Sequence, residues 1–327
     1  MAQQKSIFRV FQNEADYALM YSILMESTKA DQVVETATLD DIKNWCAPSA
    51  RFDPKQDILF ALDDKGTEIG FSRMSWYTGK DDVKLYTQAS YLIPEYRKLE
   101  IWSEMVKENE LRLREIAAKH PYHQRFFQSW ATEIQKEWIG VLENKGFKAV
   151  RHFKNMLHSL EHIPDYKLSD GIELRPVQDD HYRRIWEAQR EVQRELFEYV
   201  AEYWTDDRYP AWLKNPSHTP HLWQIAWDGD QVAGMVLTRI DKTENQVRNR
   251  KRGYTEHVFV RRPWRQRGIA KALIARSLQE IKEQGMEEAE LGVDAENESG
   301  AYEFYRSMGY QTYSTDIWFR KPMDLKV

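Results

Sequence analysis

The chain carries one pattern twice, at an offset of 163 to 168 residues. "IFRV" at 7–10 answers "ELRP" at 173–176, each with an arginine third, Arg9 and Arg175. "ILFALDDKGTEIGFSRM" at 58–74 answers "WQIAWDGDQVAGMVLTR" at 223–239, and both read as strand, acidic turn, strand. "YLIPEYRKLEIWSEMV" answers "VFVRRPWRQRGIAKALI", and "LENKGFKAV" answers "YRSMGYQTY", which aligns Gly146 with Gly309. Self-similarity on this scale restricts the chain to two copies of one structural unit.

Each copy reads as a strand, one or two helices, a hairpin, a strand, a long helix, a strand, a helix and a last strand. In the second copy the spacing predicts a strand at 171–177, helix within 179–203, a hairpin at 222–240 turning at "DGDQ" and a strand at 254–260. A helix follows at 268–284, with Ile269, Ala270, Leu273, Ile274 and Ile281 on one face and Gly285 as its stop. A strand at 288–293, a helix at 299–308 ended by Gly309 and a strand at 310–320 complete the copy. Alternating strands and helices imply an α/β fold with helices on both faces of a mixed sheet. The aperiodic stretch 161–170, which contains Pro164, Asp165 and Asp170, divides a first domain of 1–160 from a second of 171–327.

A chain of 327 residues is long enough for two cores, in agreement with the repeat. Its net charge of -5 argues against a chain-wide affinity for nucleic acid or an anionic membrane. The single cysteine, Cys46, excludes an intrachain disulfide and a zinc site built on several thiolates; it reads as a buried structural thiol. No apolar run reaches the roughly 18 residues of a membrane span and the N-terminus lacks a leader pattern, so a cytoplasmic location is expected.

The chemistry concentrates at "RQRGIA", Arg265 to Ala270, between a strand and the long helix. A helix start offers unpaired N–H groups and positive dipole charge, and a glycine there lets an anion approach the main chain. The loop therefore suits a diphosphate, although a basic loop with a glycine for turning has the same composition. Its pairing with "LGVDAENESGAYEFYRSMGY" at 291–310 decides between the two readings.

Together these stretches resemble the GNAT N-acetyltransferase superfamily over about 171–320. The superfamily's acyl-CoA signature, Arg or Gln, two residues, Gly, one residue, Gly or Ala, is met by Arg265, Gly268 and Ala270. Its second signature is met by Asn297, Gly300, Ala301, Phe304, Tyr305, Gly309 and Tyr310. The resemblance implies two tandem GNAT folds, each a mixed, mostly antiparallel, splayed sheet, and transfer of an acetyl group from acetyl-CoA to a primary amine of a small molecule or peptide. It implies no metal. Pantetheine would lie between the strands at 254–260 and 288–293, on backbone groups of Val258, Phe259 and Val260. The diphosphate would sit on the amides of Arg265, Gln266, Arg267, Gly268, Ile269, Ala270 and Lys271, with Asn297 beside the donor.

In that reading Tyr305 is the acid that protonates the departing thiolate; by spacing alone it is equally a core aromatic with Ala301, Phe304 and Met308. Glu256 is the first candidate for the base that deprotonates the amine, with Asp294 and Glu296 as rivals. Strand alternation places His257 on the face opposite Glu256. Arg248, Arg250, Lys251, Arg252, Arg261 and Arg262 are read either as contacts to the remaining phosphate of CoA or as solvated charges. Glu191, Glu195, Glu198 and Glu202 fall at helical spacing, followed by Tyr199, Tyr203, Trp204, Tyr209 and Trp212. They form either an acidic and aromatic wall for a cationic amine or the wet side of a helix. Two other readings stay open: a non-catalytic acyl-CoA sensor, and a transferase of a longer acyl or an aminoacyl group.

The first copy keeps the element order but not the signature. Arg97, Glu100 and Trp102 stand where the second copy has Arg265, Gly268 and Ala270. A carboxylate about 4 Å from a phosphate charge costs roughly 4 kcal/mol at an effective dielectric of about 20, on the order of a thousandfold in affinity. This copy is expected not to bind acyl-CoA.

Overall fold

The computed structural model describes residues 7–31, 37–121, 124–197, 199–215 and 217–324. The chain forms two compact units, one of 1–151 with 316–327 and one of 152–315.

The first unit runs β1 (Ile7–Val10), α1 (Ala15–Ala30), α2 (Leu39–Trp45), α3 (Pro54–Asp57), β2 (Ile58–Leu62), β3 (Glu68–Thr78), β4 (Lys84–Leu92), α4 (Leu99–Ala118), β5 (Arg125–Thr132) and α5 (Lys136–Asn144). Its strands lie in the order β1-β2-β3-β4-β5, antiparallel except for the parallel pair β4–β5. Alternation along β2 sends Phe60 to a core with Met20, Leu24 and Ile42, and Ala61 to a second core with Tyr86, Val106 and Leu142.

The second unit begins within β6 (Lys148–His158) and continues with β7 (Glu173–Leu174), α6 (Tyr182–Gln193), α7 (Tyr209–Leu213), β8 (Gln224–Asp228), β9 (Gln231–Arg239), α8 (Lys242–Val247), β10 (Arg252–Val260), α9 (Ile269–Glu283), β11 (Glu288–Asp294) and α10 (Ala301–Ser307). The strand order is β6-β11-β10-β9-β8-β7, again antiparallel except for one parallel pair, β10–β11. Ile269, Leu273, Ile274 and Ile281 of α9 are buried against the sheet with Val236, Leu291 and Val293. On the opposite face Trp227, Met235 and Leu237 pack under Ile185 and Ala188 of α6.

The last strand of each copy lies where chain order does not put it. Residues 316–322 of β12 (Gln311–Pro322) pair with β5 in the first unit, Asp316 opposite Thr132, while residues 153–158 of β6 pair with β11 in the second, Leu157 opposite Glu290. The compact units therefore exchange strands across the boundary read at 161–170. Local pattern specifies that a segment is a strand with one apolar face; it does not specify which sheet edge receives it.

Candidate active site

The β10–β11 pairing explains why a cleft opens here. It joins Arg252–Tyr254 to Glu288–Glu290 and goes no further, so the backbone of β10 beyond Tyr254 is not laddered to β11, which continues to Asp294 against β6. On its other side β10 bulges between Glu256 and Phe259 against β9. His257 sits within the bulge at φ 48°, a left-handed conformation uncommon for a residue with a side chain. The half-buried Val258, Phe259 and Val260 lead out of it.

The bulge overturns one expectation. Alternation requires extended backbone, and His257 is not extended, so its side chain joins Glu256 in a single cleft of about 380 Å³. Asn215, Ser217, His218, Trp223, Leu237 and Arg239 complete the lining. Arg239 donates from Nε to Oε1 of Glu256 at 3.1 Å and contacts Asp241 at 3.3 Å. Nδ1 of His257 lies 3.3 Å from Nε2 of Gln193. Burial holds the His218 imidazole below its usual pKa, with His257 beside it acting in the same direction. Desolvation lowers the pKa of His257 too, against the opposing pull of the Glu256 carboxylate, although the residue is exposed. Two neutral imidazoles therefore face the cleft near pH 7.

The loop after β10 is held from several sides. Trp264 is buried, and its Nε1 donates to Asp228 at 2.8 Å. Arg265 donates from Nε to the Val260 carbonyl at 2.9 Å, and Arg267 to the Asp170 carbonyl at 3.1 Å. Gln266 and Gly268 both have positive φ, 63° and 76°, so the backbone turns twice before α9 begins at Ile269. A Cβ built on Gly268 meets nothing within 4 Å: the residue is needed for its conformation, and space lies open above it. No side chain caps α9, so the first N–H groups, those of Ile269, Ala270 and Lys271, are without an intrahelical acceptor. These features fit a diphosphate cradle.

Tyr305, on α10, is 8% exposed and packs against Phe304 and Tyr310 at centroid distances of 5.4 and 6.0 Å. Burial pushes its phenol well above the usual range, so the hydroxyl keeps its proton at any physiological pH. It does not line the cleft that contains Glu256. The other site residues of α10's approach are set by turn geometry: Oδ1 of Asn297 accepts from the Ser299 N–H at 2.9 Å, and Gly300 starts α10 at φ 70°.

The rival carboxylates lie elsewhere. Glu296 accepts from the His152 N–H at 2.9 Å and contacts Nδ1 of that imidazole at 2.6 Å, while Asp294 accepts from the Glu296 N–H at 3.0 Å. The basic cluster also divides. Arg248 and Arg250 pair with Glu244 at 3.3 and 2.7 Å, Lys251 with Glu287 at 2.8 Å, and Arg252 with Glu288 at 2.6 Å. Glu244 on α8, four residues before Arg248 and six before Arg250, and Glu287 and Glu288, 36 residues beyond Lys251 and Arg252, neutralise it; only Arg261 and Arg262 adjoin the loop.

The acidic stripe on the predicted helix is not one face. α6 stops at Gln193. Beyond it, Glu195 reaches Arg262 and Arg265 and Phe197 contacts Phe153, tertiary partners that outweigh helix continuation. Glu191 pairs with Arg261 at 2.7 Å, and Glu198 lies outside the described residues. The aromatic part of the expectation fares better. Trp212 contacts His218 and Trp223 of the cleft at 4.8 and 6.0 Å, and Tyr209 stacks on Trp212. The loop "NPSHTPHLW", which brings in Asn215, Ser217 and His218, has no periodicity to mark it; its place directly before the hairpin was the only available signal.

The first unit preserves the splay and loses the cradle. β4 pairs with β5 only from Lys84 to Thr87. A cleft of about 520 Å³ follows, lined by Ser27, Asp31, Arg97, Trp102 and Trp138 among others. Arg97 is bound to both oxygens of Asp31, to the Ser27 carbonyl at 2.8 Å and to the Leu92 carbonyl at 3.2 Å. Trp102 and Trp138 are buried with centroids 4.7 Å apart. Cys46 is buried, its thiol pushed up to about 11 by desolvation. Among the described residues no group of three or more His, Cys, Asp or Glu could hold a metal, and no helix is long and apolar enough to cross a membrane.

Residues 183–310 match the Acetyltransferase (GNAT) family. No curated protein matches the sequence. Among solved structures, a GCN5-related N-acetyltransferase from Sphaerobacter thermophilus is similar at TM-score 0.73 and 23% identity, covering 98% of both chains. A glucosamine N-acetyltransferase region of a fungal multi-domain β-N-acetylglucosaminidase is similar at TM-score 0.71 and 14% identity, over 98% of this chain and 38% of that one. A tandem GNAT protein from the clavulanic acid biosynthesis pathway is similar at TM-score 0.65 and 12% identity, covering 98% of this chain and all of that one. Residues 183–310 are thus similar to the GNAT family, in a chain that has the fold of tandem GNAT proteins and whose N-terminal half fits a degenerate copy of it.

Proposed function

We propose that the second unit transfers an acetyl group from acetyl-CoA to a primary amine by direct attack in a ternary complex. The observation that carries the reading is the adjacency of the β10–β11 splay to the Gly268 turn and the uncapped start of α9. An extended pantetheine adds to the exposed backbone of Val258–Val260, and the diphosphate accepts hydrogen bonds from the amides of the turn. Asn297 stands at the end of the β11 side of the cleft. A backbone N–H in the bulge polarises the thioester carbonyl.

The acceptor amine enters through the cleft of Glu256, His257 and His218. Glu256, directly or through water, takes a proton from the ammonium; the neutral imidazoles beside it are the second candidates for that role. The amine nitrogen then forms its bond to the thioester carbon as the carbon–sulfur bond breaks, Tyr305 gives its proton to the leaving thiolate, and the surplus proton on the new amide nitrogen passes through water to restore the Tyr305 hydroxyl. Carboxylate and aromatic surface in one cleft suit a cationic amine.

The test is to mix the full chain with acetyl-CoA and a panel of amines, including aminoglycosides, polyamines, amino sugars, amino acids and peptide N-termini, and to follow free thiol. Amine-dependent release supports the proposal. Tight CoA binding with no release above background hydrolysis for any amine would instead support an acyl-CoA sensor.

A further inference from the structure

Three arginines precede or open the proposed diphosphate loop, and carboxylates from α6 and the turn after it hold all three. Glu191 Oε2 accepts from Arg261 at 2.7 and 3.0 Å. Glu195 spans the other two, Oε1 to Arg262 Nε at 2.9 Å and Oε2 to Arg265 at 3.0 Å. Glu195 is the better placed of the pair, since Arg265 is the signature arginine and lies three residues before Gly268. Each of its oxygens occupies a separate guanidinium, much as two oxygens of a phosphate group would.

Resting on the acetyl-CoA reading, we propose that Glu195 is a displaceable latch: it holds Arg262 and Arg265 until donor phosphates replace it, and its release frees the turn after α6, residues 194–197. A carboxylate and a diphosphate cannot share these guanidinium groups without mutual repulsion. The Glu195 carboxyl is held below the usual range by Arg265 and Arg262 in spite of its partial burial, so it is fully charged and competes at neutral pH.

The segment leads into the aromatic block that borders the acceptor cleft. Trp204 contacts Trp186, Trp186 contacts Tyr209, Tyr209 stacks on Trp212, and Trp212 contacts His218 and Trp223, at centroid distances of 6.3, 5.4, 6.0, 4.8 and 6.0 Å. The chain that Glu195 anchors thereby leads to the acceptor wall.

Calorimetric titration of CoA into the full chain tests the latch. Glu195→Gln removes the competing charge and should tighten CoA by about tenfold, and Glu195→Asp, which keeps the charge but cannot span both arginines, by less. Glu191→Gln should change affinity by less than about threefold, because Arg261 also donates to the Val232 carbonyl at 3.1 Å. Should the variants unfold, trypsin on the wild-type chain gives an independent reading: saturating CoA should speed cleavage after Arg194. Unchanged or weaker CoA binding in a well-folded Glu195→Gln, or protection at Arg194, overturns the latch while leaving the donor site standing. Failure of both wild type and variant to bind CoA overturns the donor site and the latch with it.

Discussion

Nε of Arg239 stands 3.1 Å from Oε1 of Glu256, on neighbouring strands at the wall of the cleft proposed to take the acceptor. The pair sets the carboxylate's orientation as well as its charge, leaving the second oxygen to meet a water or an amine. Glu256→Gln keeps the shape and removes the proton acceptor. Turnover should fall by about 10²- to 10⁴-fold with CoA affinity unchanged. A loss below about threefold would move the role to the imidazoles next to it.

Tyr305 presents the opposite case, a group valuable because it does not ionise. Its phenol is held protonated by burial, which suits the proton-donor role proposed for it. Tyr305→Phe deletes one oxygen from a packed aromatic cluster and should leave the melting temperature and CoA affinity near wild type while turnover falls by about 10²- to 10⁴-fold. Parallel calorimetry and thiol-release assays separate the two effects.

The histidines make the acid limb of the pH profile diagnostic. His218 and His257 both have lowered pKa values, so they are neutral above the usual imidazole range near pH 6.5 and gain charge only on acidification. Activity should therefore hold down to about pH 6.5 and fall below it, as protonation blocks acceptance of the amine's proton and repels the cation. Glu256 and Arg239 face the same space. A kcat/KM profile of His257→Gln should show the limb displaced; an unchanged limb assigns it to another group.

Much of this arrangement was readable in the chain, and the failures share a cause. The element order and the Gly268 turn follow from local pattern and from a conformation only glycine adopts readily. What could not be read depends on pairing in three dimensions. The side chain of His257 changes face because of a bulge whose extra residue no periodicity marks. Glu195 left its predicted helix for Arg262 and Arg265, some 70 residues away in sequence. Lys251 and Arg252 seemed unneutralised because Glu287 and Glu288 reach them through the fold, whereas Glu244, four residues before Arg248, was a local partner that spacing could have found. The sheet that receives β6 or β12 is decided by edges, not by the strands' own residues.

Gly309 is required on two counts. Its φ is +98°, and a Cβ there would come within 2.9 Å of Nε2 of His158, a buried ring on β6. Gly309→Ala should cost about 1–3 kcal/mol from strain and overlap together, a fall of roughly 2–4 °C in Tm per kcal/mol. Gly66→Ala, also at positive φ, +81°, but with nothing within 4 Å of the new atom, reports the conformational part alone. Thermal melts of both variants should rank Gly309→Ala well below Gly66→Ala.

The two clefts predict the stoichiometry of donor binding. In the second unit the arginine of the signature is held by one carboxylate that also serves Arg262, and the turn beside it is open above Gly268. In the first unit Arg97 is consumed by both oxygens of Asp31 and two carbonyl groups, and the small-residue position is filled by Trp102 against Trp138. Asp31 is itself anchored by Gln135 at 2.8 Å, so phosphate would have to break a shared network as well as approach a carboxylate. CoA titration should give one site per chain, lost in Gly268→Asp and unaffected by Arg97→Gln. Two equivalent sites, or a site that survives Gly268→Asp and disappears with Arg97→Gln, would place the donor in the first unit.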